Sequence, residues 1–210
     1  MKSSLFAGMV VNLFLIVDPI GLMPLFAAIT RHNSTAERRR MIRRAIVIAF
    51  AVLALFAVIG KYVLDYFSVS IAAVRIAGGI LLFAIGLEML YGRISRTETT
   101  EPEEAEAAEK ADVSVTPLAI PFLAGPGGIA AVILFAGTAE GGAGALMVIG
   151  ALVIVMLASW LLLSLTETML RVLGQIGVKV IARVMGLLLL FVATQFVVDG
   201  IRATGVLAGR

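Results

Sequence analysis

Two tetrapeptides interrupt stretches of sequence that are otherwise apolar. The first break, residues 18–21 (Asp-Pro-Ile-Gly), lies within residues 5–29, and the second break, residues 125–128 (Gly-Pro-Gly-Gly), lies within residues 113–139. A Pro costs a helix interior about 3 kcal/mol and a Gly about 1, and an Asp at the centre of a spanning helix adds roughly 2.5 to 3.5. A helix that only anchored a protein would not carry these costs. The breaks therefore predict a binding site.

A break inside a membrane helix frees carbonyls on one side and amides on the other. Irregular backbone persists at that depth only where protein or a water-filled cavity satisfies it. We expect the freed amides to hold a carboxylate at positive helix ends, and these amides belong to Ile20, Gly21, Gly127, Gly128 and Ile129. The freed carbonyls and the Asp18 carboxylate suit an ammonium group or a coupling cation, H+ or Na+. This chemistry fits a small dipolar ligand.

Both breaks also have structural explanations. Asp18 before Pro19 is a standard pair at a helix start, so this carboxylate could simply cap a helix. The glycines of the second break could serve close helix packing in lipid. Asn12, and Thr194 with Gln195, lie mid-span, where they could line a cavity or only bond between helices. The candidate substrate-binding residues are Asn12, Asp18, Pro19, Ile20, Gly21, Gly125, Pro126, Gly127, Gly128 and Thr194.

The elements that must position these residues are membrane helices. The chain is 60% hydrophobic, far above the composition of soluble domains, and its mean hydropathy is +1.06. Segments of about 20 apolar residues match the hydrocarbon thickness. Six are predicted, at about 4–30, 43–64, 71–92, 116–138, 143–167 and 181–202. We therefore predict an all-α polytopic membrane protein with broken helices 1 and 4.

The six segments divide into two similar halves. Residues 1–92 and 116–210 are predicted to be three-segment repeats, joined by an acidic cytoplasmic linker at 93–115. An offset of 107 residues places the first break on the second, and an offset of 108 places Arg75 and Gly78 on Arg183 and Gly186. If every segment spans, three per half makes the second copy upside down, which is the inverted repeat of many secondary transporters.

Charge indicates orientation without fixing the topology. Twelve Lys and Arg lie on the side of loops one, three and five, against five on the side of the termini, which predicts termini outside the cytoplasm. If segments 1 and 4 were re-entrant, the same counts would place the termini inside. The length of residues 4–30 favours spanning. The arginine cluster between the first two spans is read as a topology signal, with an anionic-lipid site as the alternative.

Charged residues near span ends form two expected pairs. In the spanning interpretation, Glu88 and Arg183 approach one membrane face, and Asp199 and Arg75 approach the other. Such groups form ion pairs, snorkel towards the interface, or act as gates.

Composition and residue types argue against several function classes. The chain has no Cys, so disulfides and thiolate chemistry are excluded, and its one His, His32, lies outside the spans. An intramembrane enzyme would need a nucleophile with a base or a cluster of metal ligands. Ser159 and Ser164 are better explained as helix contacts. We expect no catalytic residues, no metal, no cofactor and no nucleic-acid partner.

The residues around the two breaks resemble a known family. Residues 18–26 (DPIGLMPLF) and 117–129 (PLAIPFLAGPGGI) are similar to the two signature segments of the MarC family, which is grouped with the neutral amino acid transporter SnatA. The resemblance covers essentially the whole chain, although Gly128 stands where an Ala is common. It implies a multi-pass protein of the bacterial or archaeal cytoplasmic membrane, with both termini outside, that transports small neutral amino acids such as glycine and alanine.

The expected function is therefore secondary transport of a small neutral amino acid, bound near the midplane between the two broken helices. Coupling to H+ or Na+ is expected. Two alternatives remain open: export of amino acids or related metabolites, and passive conduction through a channel. The expected partners are the substrate and the lipid bilayer, and the sequence does not give the oligomeric state.

Overall fold

The computed structural model describes residues 2–92, 112–137 and 143–205, and these residues are helical throughout apart from short turns. The helical segments are α1 (Lys2–Val17), α2 (Pro19–Ile29), α3 (Thr35–Tyr66), α4 (Ile71–Tyr91), α5 (Ser114–Leu123), α6 (Pro126–Ala136), α7 (Ala143–Ser164) and α8 (Thr166–Ala203). No strand occurs in these three described ranges. The predicted all-α fold is confirmed.

The helices are long and apolar enough for five membrane spans, or six if the bent pair α5–α6 is one span. The first of these, Ser4–Ile29, includes α1 and α2 together. The pair α5–α6 bends by 53° at its break. A bend of this kind occurs in a broken span or in a re-entrant loop.

Two helices are longer than their predicted spans. Helix α3 begins at Thr35, eight residues before the predicted start, because Ser34 and Glu37 form a capping box. The Ser34 amide donates to Glu37 Oε2 over 2.7 Å, and the Glu37 amide donates to Ser34 Oγ over 3.3 Å. Helix α8 begins at Thr166, not at the predicted 181, and turns at Gly174, whose φ of 67° is the left-handed conformation that glycine favours.

The most extensive contact in the fold joins α4 and α8, which run antiparallel. Small residues repeat every seven positions along the contact, at Ala72, Gly79 and Gly86 on α4 and at Gly186, Ala193 and Gly200 on α8. A Cβ atom at Gly79 would lie 2.8 Å from the carbonyl oxygen of Ala193. At the other end, a Cβ atom at Gly186 would lie 3.1 Å from the carbonyl oxygen of Gly86. The two backbones therefore approach closely, as small residues permit in membranes.

The remaining helices pack mainly across the two halves of the chain. Helix α1 packs on α7 while α5 packs on α3, and α2 packs on α8 while α6 packs on α4. In the same way, the contact of α2 with α7 corresponds to the contact of α6 with α3. The contact of α1 with α6 corresponds to the contact of α2 with α5. The two broken segments, α1–α2 and α5–α6, therefore contact each other and lie between α3, α4, α7 and α8.

The predicted domain boundaries are only partly covered by the structure. The predicted linker at 93–115 lies almost wholly outside the described residues, as do all six of its glutamates. Within the described part, α5 begins at Ser114, two residues before the predicted second repeat. Asp112 precedes this helix, and its Oδ1 accepts a hydrogen bond from the Ser114 amide over 2.9 Å.

Candidate functional site

The first break is a single left-handed residue in an otherwise continuous span. Asp18 has φ 42° and ψ 60°. Its amide donates to the carbonyl of Phe14 over 3.0 Å, and its own carbonyl accepts from the amide of Leu22 over 3.2 Å. Hydrogen bonds of helical spacing thus continue on both sides of the break. Pro19 follows as the first residue of α2, where its missing amide costs nothing.

The Asp18 carboxylate caps the helix that it precedes. Its Oδ1 accepts a hydrogen bond from the Gly21 amide over 3.1 Å. The hydrogen bonds of the described residues include no donor to Oδ2, so this oxygen retains its acceptor capacity. A Cβ atom at Gly21 would lie 1.9 Å from Oδ2, which is impossible without movement. Gly21 is therefore the residue that lets the carboxylate fold over the start of α2.

The segment before the second break is irregular because of two prolines. Thr116 (φ −125°, ψ 122°) and Ile120 (φ −130°, ψ 123°) are extended, and each directly precedes a proline, Pro117 or Pro121. A proline disfavours helical backbone at the residue before it. The hydrogen bonds that remain have five-residue spacing, as from the Leu118 amide to the carbonyl of Val113 over 3.2 Å. The predicted span at 116–138 is therefore two different segments, with an ordinary helix only from Pro126.

The second break leaves the start of α6 open. Gly125 precedes the helix and has no side chain to cap it. The Ile129 amide donates to the Gly125 carbonyl over 3.0 Å. Within the described chain, no acceptor is found for the amides of Gly127 and Gly128, and both residues are buried. The second break thus presents two unbonded amides at the positive end of a helix.

Two of the five amides that we expected to bind the ligand carboxylate are already bonded within the protein. Gly21 and Ile129 donate within the protein, to Asp18 and Gly125 respectively, so their amides do not remain open for a ligand. The capping interpretation of Asp18 is seen in the structure, and it leaves one carboxylate oxygen without a donor.

Side chains of α3 and α4 pack against the glycines of the second break. A Cβ atom at Gly127 would lie 2.6 Å from Leu82 Cδ2 and 3.7 Å from Ile85 Cδ1, both on α4. One at Gly128 would lie 3.4 Å from Leu53 Cδ2 on α3, which is ordinary contact. Leu53 and Leu82 are fully buried. The close-packing role of Gly127 is thus observed, and Gly128 has more room.

The weaker candidates make hydrogen bonds within their own helices. Asn12 Nδ2 donates to the Gly8 carbonyl over 2.8 Å, and Thr194 Oγ1 donates to the Leu190 carbonyl over 2.8 Å. Gln195 Nε2 donates to Asp199 Oδ1 over 2.8 Å. Asn12 is partly buried, and Thr194 is exposed. The hydrogen bonds of these two side chains do not join helices.

The arginines of the two expected charged pairs lie near helix ends. The Nη2 atom of Arg183 would lie 3.0 Å from a Cβ atom at Gly92, where α4 ends. The Cβ atom of Arg75 would lie 3.1 Å from one at Gly200. Asp199, however, pairs with Arg202, at 3.9 Å, on its own helix.

Sequence reasoning missed a contact that joins the two halves at the ends of their helices. Arg38 is mostly buried, and its guanidinium forms an ion pair with Glu167 at the start of α8. Its Nε also donates to the Thr30 carbonyl over 3.0 Å, where α2 ends. Nearby, Arg44 pairs with Asp112 at 2.6 Å. Because the two residues of each pair are far apart in the sequence, their spacing does not predict that they meet.

Comparison with known proteins identifies the family. A profile described as MarC family integral membrane protein matches residues 3–204. The chain belongs to the MarC family. Relatives in the MarC family include the UPF0056 membrane protein YvbG of Bacillus subtilis, 36% identical over 96% of both chains. YhcE of Escherichia coli, also named a UPF0056 membrane protein, is 32% identical over 91% of this chain and 89% of its own.

An archaeal relative shows that the MarC-family similarity extends beyond bacteria. A UPF0056 membrane protein of Methanocaldococcus jannaschii is 36% identical over 91% of this chain and 84% of its own length. No solved structure matches this MarC-family chain. As a member of this family, the chain is a multi-pass integral membrane protein. The names of these relatives state no substrate.

Proposed function

We propose that this MarC-family protein is a secondary transporter of small neutral amino acids. The observation that carries the proposal is the difference between the two breaks. Among the described residues, one break has a carboxylate oxygen that lacks a donor, and the other has two buried amides that lack an acceptor. A zwitterion has the groups that complement both. The family resemblance to neutral amino acid transporters agrees with this chemistry.

The substrate carboxylate would bind the amides of Gly127 and Gly128, where the helix end supplies positive potential. The substrate ammonium would bind Asp18 Oδ2, with freed carbonyls at the end of α1 as further acceptors. Leu53 and Leu82, both fully buried, lie against the two glycines, so a small substrate side chain would fit this proposal best. Asp18 would also be the site for a coupling proton or sodium ion.

Alternating access would use the two halves as an inverted repeat. The offset of 107 residues that carries Asp18 onto Gly125, one less than the offset that matches Gly78 with Gly186, carries Gly79 onto Gly186 and Gly86 onto Ala193. These are the small residues at which α4 and α8 meet. The four pairs of helix contacts that exchange between the halves support the same proposal, because an inverted repeat places equivalent elements in equivalent surroundings. The contacts of α6 with α7 and of α1 with α8 do not follow this exchange.

We place the protein in the cytoplasmic membrane with both termini outside. The basic residues favour this orientation, because cytoplasmic loops carry an excess of Lys and Arg. The loop that joins α2 to α3, the loop after α4 and the loop that joins α7 to α8 would then be cytoplasmic.

The test is binding and transport by the purified full-length protein. Wild type and Asp18→Asn are reconstituted in liposomes, and saturable uptake of labelled glycine and alanine is measured with and without H+ and Na+ gradients. Asp18→Asn should abolish uptake while inserting normally. Asp65→Asn, an exposed aspartate at the end of α3, is the matched control and should transport like wild type.

Two outcomes would contradict the proposal. Normal glycine and alanine transport by Asp18→Asn would remove Asp18 from the site. Absence of any binding when the wild-type protein is screened against the twenty amino acids would remove the substrate class. Flux that does not saturate would instead identify a channel.

A further inference from the structure

The outward face of α3 has three chemically distinct zones. Exposed apolar residues run along it from Val47 through Leu55 and Val58 to Tyr62. At its far end Tyr66 and the residue after it, Phe67, are 83% and 68% exposed, and their rings meet edge to face. At its near end lie three exposed arginines, Arg39, Arg40 and Arg43.

The dimensions of this face match a lipid bilayer. From Val47 to Tyr66 the helix rises about 28 Å at 1.5 Å per residue. The exposed charged residues Lys61 and Asp65 lie in the last two turns of this stretch, close to the interface. The hydrocarbon core of a bilayer is about 30 Å thick, and aromatic residues are enriched at its boundaries. Tyr66 and Phe67 therefore mark one interface. The arginines, one to two turns before Val47, lie at the headgroup level of the other.

The three arginines differ from their neighbours on the same helix. Arg38 pairs with Glu167, and Arg44 pairs with Asp112. No ion pair between described residues involves Arg39, Arg40 or Arg43. The nearest acid on the helix, Glu37, accepts hydrogen bonds from the amide and hydroxyl of Ser34.

The helical positions bring the arginines above the lipid-facing surface. Arg40 and Arg43 are three residues apart, so they are neighbours on one side of α3. Val47 follows Arg43 by four residues and continues the same side into the apolar zone. A lipid at this position would place its phosphate beside the guanidinium groups and its acyl chains along the exposed apolar residues.

We propose that Arg39, Arg40 and Arg43 form a binding site for the headgroup of an anionic phospholipid. Guanidinium groups bind phosphate through paired hydrogen bonds. The anionic lipid is favoured over a zwitterionic one because no ion pair between described residues involves the three arginines, and Glu37 offsets the charge of Arg40 only in part. The site lies on the outside of the helix bundle and is independent of the proposed transport function.

The test compares lipids and variants on the purified full-length protein. Delipidated protein in neutral detergent is titrated with phosphatidylglycerol or phosphatidylcholine, and binding is followed by native mass spectrometry and by thermal unfolding. Inorganic phosphate and glycerol phosphate form separate arms. Wild type should bind phosphatidylglycerol in preference to phosphatidylcholine, and the two soluble phosphates should not compete at equal concentration.

The test variant is Arg39→Gln/Arg40→Gln/Arg43→Gln. Each basic residue at the surface contributes about 1 kcal/mol to binding anionic lipid, so the triple variant should bind phosphatidylglycerol roughly 100-fold more weakly. A charge-matched control, Lys61→Gln/Arg171→Gln/Lys179→Gln, removes three exposed charges at the opposite end of α3 and on α8, and should bind like wild type.

Three outcomes would overturn the proposal. Equal loss in both triple variants would show that net charge, not this cluster, attracts the lipid. Displacement by inorganic phosphate would show a free-anion site. A preference that appears only after the glutamates of residues 98–109 are replaced by glutamine would show that the chain itself occupies the arginines.

Discussion

The Gly21 amide donates to one oxygen of the Asp18 carboxylate over 3.1 Å, and a Cβ atom at Gly21 would lie 1.9 Å from the other oxygen. Asp18 can therefore cap α2 only because Gly21 has no side chain. Neither can be changed without displacing the carboxylate that we assign to the substrate ammonium.

Gly21→Ala should move the Asp18 carboxylate and weaken substrate binding. Loss of a hydrogen bond to a charged group costs about 1.5–3 kcal/mol, so we expect at least about tenfold weaker glycine binding. Calorimetric titration of the purified protein measures this. Gly8→Ala in the same span is the control, because a Cβ atom there has no atom within 4 Å. Equal affinity in both variants would show that Asp18 does not depend on Gly21.

Gly127→Ala and Gly128→Ala should differ in stability. The added Cβ atom at Gly127 lies 2.6 Å from Leu82 Cδ2, so this variant must displace a fully buried side chain. Such overpacking costs about 1–3 kcal/mol. At Gly128 the distance to Leu53 is an ordinary 3.4 Å, and alanine lowers the entropy of the unfolded chain. Thermal unfolding in detergent should therefore rank Gly128→Ala above Gly127→Ala, and the reverse order would contradict this packing.

The sequence predicted the parts of the site that depend on local residue type. The breaks, the boundaries of α4 and the pairing of the two broken segments follow from proline, glycine and span length. The open end of α6 is visible only when hydrogen bonds are assigned, since it depends on which amides near Gly125 find an acceptor. The early starts of α3 and α8 were missed because polar residues such as Glu37 and Glu167 lie outside the apolar windows that define a span.

Asp112 should make the start of α5 sensitive to acid. Hydrogen bonds from Ser114, and then the Arg44 guanidinium, hold the pKa of this carboxyl below its ordinary value of 3.8. Since the folded pKa is the lower one, the stabilisation is fully present above pH 3.8 and is lost as pH falls through the folded pKa. Asp112→Asn should lower the unfolding temperature at pH 7 and remove this dependence. The carboxyl is 42% exposed, so the effect should be below about 1 kcal/mol.

The Asp112 experiment compares unfolding temperatures of the variant and wild type between pH 7 and pH 3. Asp65→Asn serves as the control carboxylate. If the variant and wild type lose the same stability on acidification, ionisation of Asp112 does not stabilise the start of α5.

Labelling from the two sides of the membrane should show that both broken segments span. The chain has no Cys, so single cysteines can be introduced directly at exposed positions. Ser4→Cys, Ser68→Cys and Gly137→Cys should react with an impermeant maleimide from one side, and Thr35→Cys and Arg171→Cys from the other. The reason is that the hydrogen bonds around Asp18 preserve the helix direction, and the 53° bend at the second break does not reverse it.

Each re-entrant alternative gives a different labelling pattern. If α1–α2 turned back, Ser4→Cys would react from the same side as Thr35→Cys. If α5–α6 turned back, Gly137→Cys would join Thr35→Cys, and Arg171→Cys would move to the opposite side. With intact cells, the proposed orientation further requires that Ser4→Cys, Ser68→Cys and Gly137→Cys react from outside. Reaction of these three only after the membrane is opened would invert the proposed orientation while leaving six spans in place.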